Sequence, residues 1–284
     1  MSADLLVELF TEELPPKALR ALGTAFGERL LAVLTQLQLT QANSSRLHTF
    51  ATPRRLAALI PGALEMSAER LESRKLMPVK VAFDVAGKPS AALLKKLEKE
   101  GGTLEGIERK TEGDAEYVFL NQRIAGMTLE AGLQTALNEA IAKLPIPKVM
   151  SYQLTDGTTT VKFVRPAHGL VALHGDKVLN VHTLGLKAGR ITRGHRFQGA
   201  RDISLQGAGD YETKLAEDGQ VIADFDRRRD EVAKQLAEKA RTLAASLGAQ
   251  ADYAPLLDEV TALVEYPTVY EGEFEAGFLA VPQE

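Results

Sequence analysis

Five apolar residues and one glutamate, Leu5-Leu6-Val7-Glu8-Leu9-Phe10, need an interior before anything else in this chain can be arranged. An apolar run of about four to eight residues bounded by turn signals reads as a short, mostly buried strand. An acid inside such a strand requires a partner if it is buried, because a lone carboxylate is costly to desolvate. Arg54 or Arg55 could supply that partner. Thr11-Glu12-Glu13-Leu14-Pro15-Pro16 then breaks the strand and opens a helix, since proline is tolerated in a first turn. Leu19, Leu22, Phe26, Leu30, Val33 and Leu37 recur at spacings of three or four and give that helix one apolar face.

Further along, residues 47–51 and 55–60 predict two strands joined at Thr52-Pro53. Residues 65–80 are charged and poorly periodic, and predict a connection or an irregular helix. A short helix carrying Leu93, Leu94 and Leu97 ends at Gly101-Gly102, and residues 117–120 predict a strand. Leu129, Leu133, Leu137, Ile141 and Leu144 form the buried face of another helix, with Thr128 as N-cap and Pro145 and Pro147 as its stop. Residues 161–164, 170–174, 178–184 and 190–192 read as β-type segments, with Gly175-Asp176 a hairpin signal. Asp224 or Asp226 caps a long helix that turns Val232, Leu236, Ala240, Leu243 and Leu247 inward and ends at Gly248. A helix over 255–264 and a strand-like 268–271 follow. Strand clusters without regular β-α alternation give an α+β class. We expect two α+β domains with small mixed or antiparallel sheets and packed helices. Residues 1–150 form the first; residues 151–284, a basic β-rich segment followed by helices, form the second.

Charge is segregated. Residues 157–201 hold eight Lys or Arg against one acid, a local +7, whereas residues 202–284 hold seven against 18, a local -11. A local positive field favours a polyanion such as RNA, unless the acidic last third folds against the basic middle and neutralises it. With no cysteine, disulfides, thiol nucleophiles and zinc–thiolate sites are excluded. No signal peptide or membrane span is legible, which suits a cytoplasmic protein. Gly-rich phosphate loops, the Gly-x-Ser-x-Gly elbow and His-x-x-x-His are absent, so no catalytic or metal residue is assigned.

Candidate contact residues come from three places. Thr52-Pro53-Arg54-Arg55-Leu56 sets two guanidinium groups on opposite faces of a strand, one to pair inward and one to reach phosphate. Phe163-Val164-Arg165-Pro166-Ala167-His168 contributes Arg165 and His168. The densest is Gly189-Arg190-Ile191-Thr192-Arg193-Gly194-His195-Arg196-Phe197. Arg190, Arg193 and Arg196 could grip a phosphate backbone there while His195 or Phe197 stacks on an unpaired base. Subunit contact and internal ion pairing are the competing readings of that loop. Glu8, Glu12 and Glu13 could be paired carboxylates for acid–base work, or acids that complement a helix dipole. Arg227-Arg228-Arg229 opposes the dipole at a helix start, and has either outside acidic partners or Asp224, Asp226 and Asp230.

The segments from Thr11 to Leu19, Thr52 to Ala57, Lys143 to Lys148, Phe163 to His168, Arg193 to Phe197, Val221 to Asp224 and Phe278 to Pro282 occur in that order. Together they resemble the β subunit of the bacterial heteromeric glycyl-tRNA synthetase. Two departures stand out: Ser151-Tyr152-Gln153 where that family usually has a basic residue, Trp and Gly, and Lys75-Leu76-Met77-Pro78 where it usually has Gly-Pro. The resemblance implies an α2β2-type assembly whose α subunit holds the catalytic site and uses ATP and Mg²⁺ to join glycine to tRNA(Gly). It also implies that this stretch lacks the family's C-terminal HD-like and anticodon-binding domains. By itself it is then a fragment that does not charge tRNA. The expected role is tRNA binding and docking to the α subunit, with Arg54, Arg55, Arg165, His168, Arg190, Arg193, His195 and Arg196 as RNA contacts. The alternative is a protein scaffold without RNA contact. A small hydrolase using Glu8 or His168 as general base rests on residue types alone.

Overall fold

The computed structural model describes residues 1–43, 46–84 and 86–280. They form two compact units, one from residues 1–65 and 129–280 and the other from residues 66–128. The first begins with β1 (Ser2–Thr11), α1 (Pro16–Gln36), β2 (His48–Thr52) and β3 (Arg55–Leu64). The second holds β4 (Arg70–Pro78), α2 (Val79–Ala82), α3 (Ala91–Lys99), β5 (Ile107–Glu112) and β6 (Ala115–Ile124). The chain then returns to the first through α4 (Leu129–Lys143), β7 (Met150–Gln153), β8 (Thr160–Phe163), β9 (Ala167–His174) and β10 (Lys177–Val178). Short strands β11 (His182–Thr183), β12 (Leu186–Lys187), β13 (Ile191–Thr192) and β14 (Ile203–Ser204) precede α5 (Tyr211–Glu217), α6 (Phe225–Thr242) and α7 (Gln250–Thr261). The class is α+β.

The main sheet runs β10-β9-β1-β3-β2 and is antiparallel throughout. Its central strand explains the apolar run. Leu5, Val7 and Leu9 join Leu19, Leu22, Phe26 and Leu30 of α1 and Leu133 and Leu137 of α4 in one core. Leu6 points the other way, with Phe50, Ala57 and Leu173, onto Tyr211, Leu215 and Val221. Both faces of β1 are covered, so neither alternates with polar residues. Residue 150, near which the sequence suggests a domain boundary, lies inside this first unit, between α4 and the strands that complete its sheet.

The second unit is an antiparallel β4-β6-β5 sheet over a small core of Ala82, Leu93, Leu97, Val118 and Leu120. Here residues 65–80 depart from the sequence reading, because Arg70–Pro78 is a strand paired along β6. Its side chains are mostly exposed on both faces, which removes the apolar alternation that marks a strand. Two other expectations are corrected. α6 stops at Thr242, because Ala244 adopts φ 50° and the Ala245 N–H returns to the Ala240 carbonyl at 2.9 Å, ending the helix before Gly248. Residues 268–271 pair with no strand among the described residues. The Val281-Pro282 end of the last sequence motif lies outside the described residues. Among the described residues no helix is long and apolar enough to cross a membrane.

Candidate nucleic-acid interface

Pro53 and Arg54 form the two-residue turn between β2 and β3, with Thr52 opposite Arg55. That turn gathers distant segments. Its Arg54 and Pro53 carbonyls accept from the Thr11 N–H (2.8 Å) and the Leu14 N–H (2.6 Å), while the Glu12 N–H donates to the Pro166 carbonyl (2.9 Å). The Thr11–Pro16, Thr52–Leu56 and Phe163–His168 motifs therefore meet at one end of the main sheet.

Arg55 opens β3 and faces inward. Glu8 stands opposite Ala57 on the neighbouring strand, so Arg55, two residues before Ala57, shares its face. The Arg55 Nη1 lies 3.5 Å from Glu8 and Nη2 lies 3.2 Å from Glu265. Nε donates to Thr52 Oγ1 (3.1 Å) and Nη2 to the Arg193 carbonyl (2.8 Å). Thr52 and Thr192 hydroxyls donate to Glu265 and Glu8, both at 2.7 Å, and the Tyr211 hydroxyl donates to Glu8. Arg228, also fully buried, donates to the carbonyls of Ala51 (2.7 Å), Ile222 (2.7 Å) and Thr261 (3.1 Å). One buried guanidinium, that of Arg55, thus pairs with two buried carboxylates, while that of Arg228 is held by backbone carbonyls. Burial lowers the Arg55 pKa, but Glu265 and Glu8 outweigh it and hold the group above its ordinary value. Burial pulls Arg228 down to about 10, against the opposing pull of Glu265. Burial, with the Glu8 charge, pushes the Tyr211 phenol well above 10.0.

The outer side of this cluster is a cleft. Arg54, Arg193, Gly194, His195, Arg196 and Arg201 line a hollow of about 320 Å³. A neighbouring hollow of about 480 Å³ shares Arg54, His195 and Arg196 and is walled by Pro15, Pro16, Pro53, Phe197, Leu263 and Tyr266. The buried Phe10 ring supports the cations, with Arg54 at 4.7 Å and Arg193 and Arg55 each at 5.4 Å from its centroid. The loop that carries them is fixed by its backbone. Gly194 N–H donates to the Ala200 carbonyl (3.0 Å), His195 N–H to Gly219 (2.7 Å) and Ala200 N–H to Asp218 (2.9 Å). A Cβ on Gly194 would stand 2.7 Å from Gly219 Cα, so only glycine allows this approach.

The eight expected contact residues separate here. Arg55 is the correction: its guanidinium is 0% exposed and fully engaged, so it supports the site from within and reaches no outside partner. Arg54, Arg193, His195 and Arg196 line the cationic hollow, and Arg165 lines its neighbour with Nε donating to the Glu13 carbonyl at 2.9 Å. His168 Nε2 lies 3.0 Å from Glu12, which also meets Arg196 at 3.5 Å. Arg190 is turned to the carbonyls of Asp176 (2.9 Å) and Leu205 (3.2 Å). Within residues 157–201, Arg193–Asp202 (3.7 Å) is the ion pair to the acidic last third seen among the described residues. That last third satisfies other groups: Glu212 holds Arg227, Asp258 holds Arg229, and Asp226 holds Arg20. The run of three arginines is thus satisfied inside the chain, by Glu212, Asp258 and backbone carbonyls. Glu265, Tyr211, Thr192, Phe10 and Arg201 were not singled out from sequence. Only Glu265 carried a signal, as an acid between Val264 and Tyr266, much as Glu8 sits among apolar neighbours. Among the described residues no group of three or more His, Asp or Glu could hold a metal ion.

The family model described as "Glycyl-tRNA synthetase beta subunit" matches residues 5–284. Proteins named glycine–tRNA ligase beta subunit are similar along the chain: that of Delftia acidovorans is 52% identical over 100% of this chain and 41% of its own length. Those of Acidovorax sp. (53%; 99% and 39%) and Dechloromonas aromatica (49%; 100% and 41%) agree. The chain spans about two fifths of the length of these relatives. With a family match over residues 5–284 and relatives about half identical along the whole chain, the chain belongs to the glycyl-tRNA synthetase beta subunit family.

Proposed function

We propose that this chain is a tRNA-binding and α-subunit-docking region of a glycyl-tRNA synthetase, a ligase that attaches glycine to tRNA(Gly) with ATP. Glycine activation, with its ATP and Mg²⁺, is assigned to the α subunit in an α2β2-type cytoplasmic assembly; this chain supplies no step of that chemistry. The observation that carries the reading is the gathering of Arg54, Arg193, Arg196 and Arg201 on one cleft. Arg193 and Arg196 are partly offset by Asp202 and Glu12, whereas Arg54 and Arg201 make no ion pair among the described residues, and arginine forks match phosphate. Gel shifts with tRNA(Gly) test it. Replacing Arg193 and Arg196 by Ala should weaken binding with no change in unfolding temperature, and unchanged binding would remove the assignment.

A scaffold reading without RNA contact draws support from a different surface. Leu256 on α7 and Tyr270, Phe274 and Phe278 after it in the chain are exposed, and exposed apolar groups favour protein contact. Capture of the α subunit by this chain, set beside the tRNA gel shift, separates the two roles.

A further inference from the structure

The two joined hollows differ in chemistry, and the difference points to more than a phosphate backbone. In the smaller one, Arg54 lines the hollow without an ion pair of its own. Its buried Nε has no hydrogen-bond partner, and burial lowers its pKa, with the Arg196 and Arg55 charges adding to that effect and Glu265 and Glu12 opposing it. Arg201 joins it, and neither makes an ion pair among the described residues. His195 Nδ1 accepts the backbone N–H groups of Phe197 (3.3 Å) and Gln198 (3.2 Å), which leaves Nε2 to carry the ring proton. The larger hollow is walled instead by prolines and by the side chains of Phe197, 85% exposed, and Tyr266, 39% exposed. An aromatic ring left so far in water beside unpaired guanidinium groups suits a planar, anionic guest. At about 480 Å³ the hollow is also within the usual range for a small organic ligand, roughly 300–1,000 Å³.

We propose that the paired hollows form a subsite for one unpaired nucleotide, with its phosphate among Arg54, Arg193 and Arg201 and its base against Phe197 and Tyr266. The inference rests on the RNA-binding reading and narrows it to a single-stranded or flipped-out nucleotide. An acidic peptide would use the arginines but leave the aromatic wall idle.

The test uses the 284-residue chain with four probes: a single-stranded RNA hexamer, the same sequence as a blunt duplex, tRNA(Gly) and a polyglutamate peptide. The hexamer should bind tighter than the duplex. Phe197→Ala should weaken hexamer binding about tenfold, Phe197→Trp should restore it, and neither should change the unfolding temperature. Arg54→Ala and Arg201→Ala should weaken it comparably. Equal binding of duplex and hexamer, with no effect of Phe197→Ala, would overturn the subsite. If tRNA binding then still depended on Arg193 and Arg196, the broader RNA-binding reading would stand; loss of that dependence would remove both. Polyglutamate binding as tight as the hexamer and indifferent to Phe197 would overturn it in favour of an acidic protein partner.

Discussion

The Arg55 guanidinium lies 3.2 Å from the Glu265 carboxylate, and both side chains are buried. Through this pair, the start of β3 is fastened to the segment after α7, and the Arg193 carbonyl is fastened to the same guanidinium. The base of the cleft and two of its walls are therefore one hydrogen-bonded unit.

Truncating one partner of such a pair leaves a buried charge unmatched. Arg55→Met should destabilise the first unit by about 3–5 kcal/mol, read from the urea midpoint of unfolding. Adding Glu8→Gln and Glu265→Gln to Arg55→Met should recover part of that loss. A triple variant as unstable as the single one would show that packing rather than charge dominates.

Cations lining the hollow should act differently. Arg54→Ala or Arg193→Ala should each lower the slope of log affinity against log salt for tRNA by about one, with the unfolding midpoint little changed. Arg55 variants should instead shift stability first. Binding measured across a salt series distinguishes these outcomes.

The loop after Arg193 depends on close backbone contact with Gly219. A Cβ at Gly199 would meet Gly219 even more closely than one at Gly194. Gly199→Ala should cost about 1–3 kcal/mol and weaken RNA binding by displacing His195 and Arg196. Gly272→Ala, where a Cβ would meet nothing within 4 Å, serves as the control. Thermal unfolding of both variants checks the contrast.

Tyr211 provides a pH signature. Its folded pKa is raised by burial and by the Glu8 charge above the 10.0 of a free phenol. Its contribution to stability is therefore fully present below pH 10.0 and is lost as pH rises beyond that value. In an absorbance titration at alkaline pH, one of the six tyrosines should ionise only on unfolding, and Tyr211→Phe should abolish that delayed step.

Much of this architecture is legible in the residues. The Leu5–Phe10 run, the α1 stripe from Leu19 to Val33, the α4 stripe and the Asp224 cap, which accepts from the Arg227 N–H at 2.8 Å, all act within one turn or one strand. Local periodicity records what such elements need, because each buries a face of its own. Strand β4 escaped that reading because its surroundings are mostly solvent on both sides, and no pattern of burial was imprinted on it. The end of α6 escaped it because Ala244 takes a left-handed conformation that residue type alone favours in glycine.

Sequence by itself determined that the chain is α+β, that its charge is segregated, that Glu8 requires a partner and that the ordered motifs resemble one family. Tertiary structure alone decided how those charges are used. Arg54 and Arg55 are neighbours with the same chemistry, yet the turn at Pro53 sends one to the cleft while the first position of β3 sends the other inside. Glu265 stands 210 positions from Arg55, and no local pattern can encode a partner at that separation. A buried charge is matched by whatever the folded chain brings within hydrogen-bonding reach, and that is set by packing rather than by spacing along the sequence.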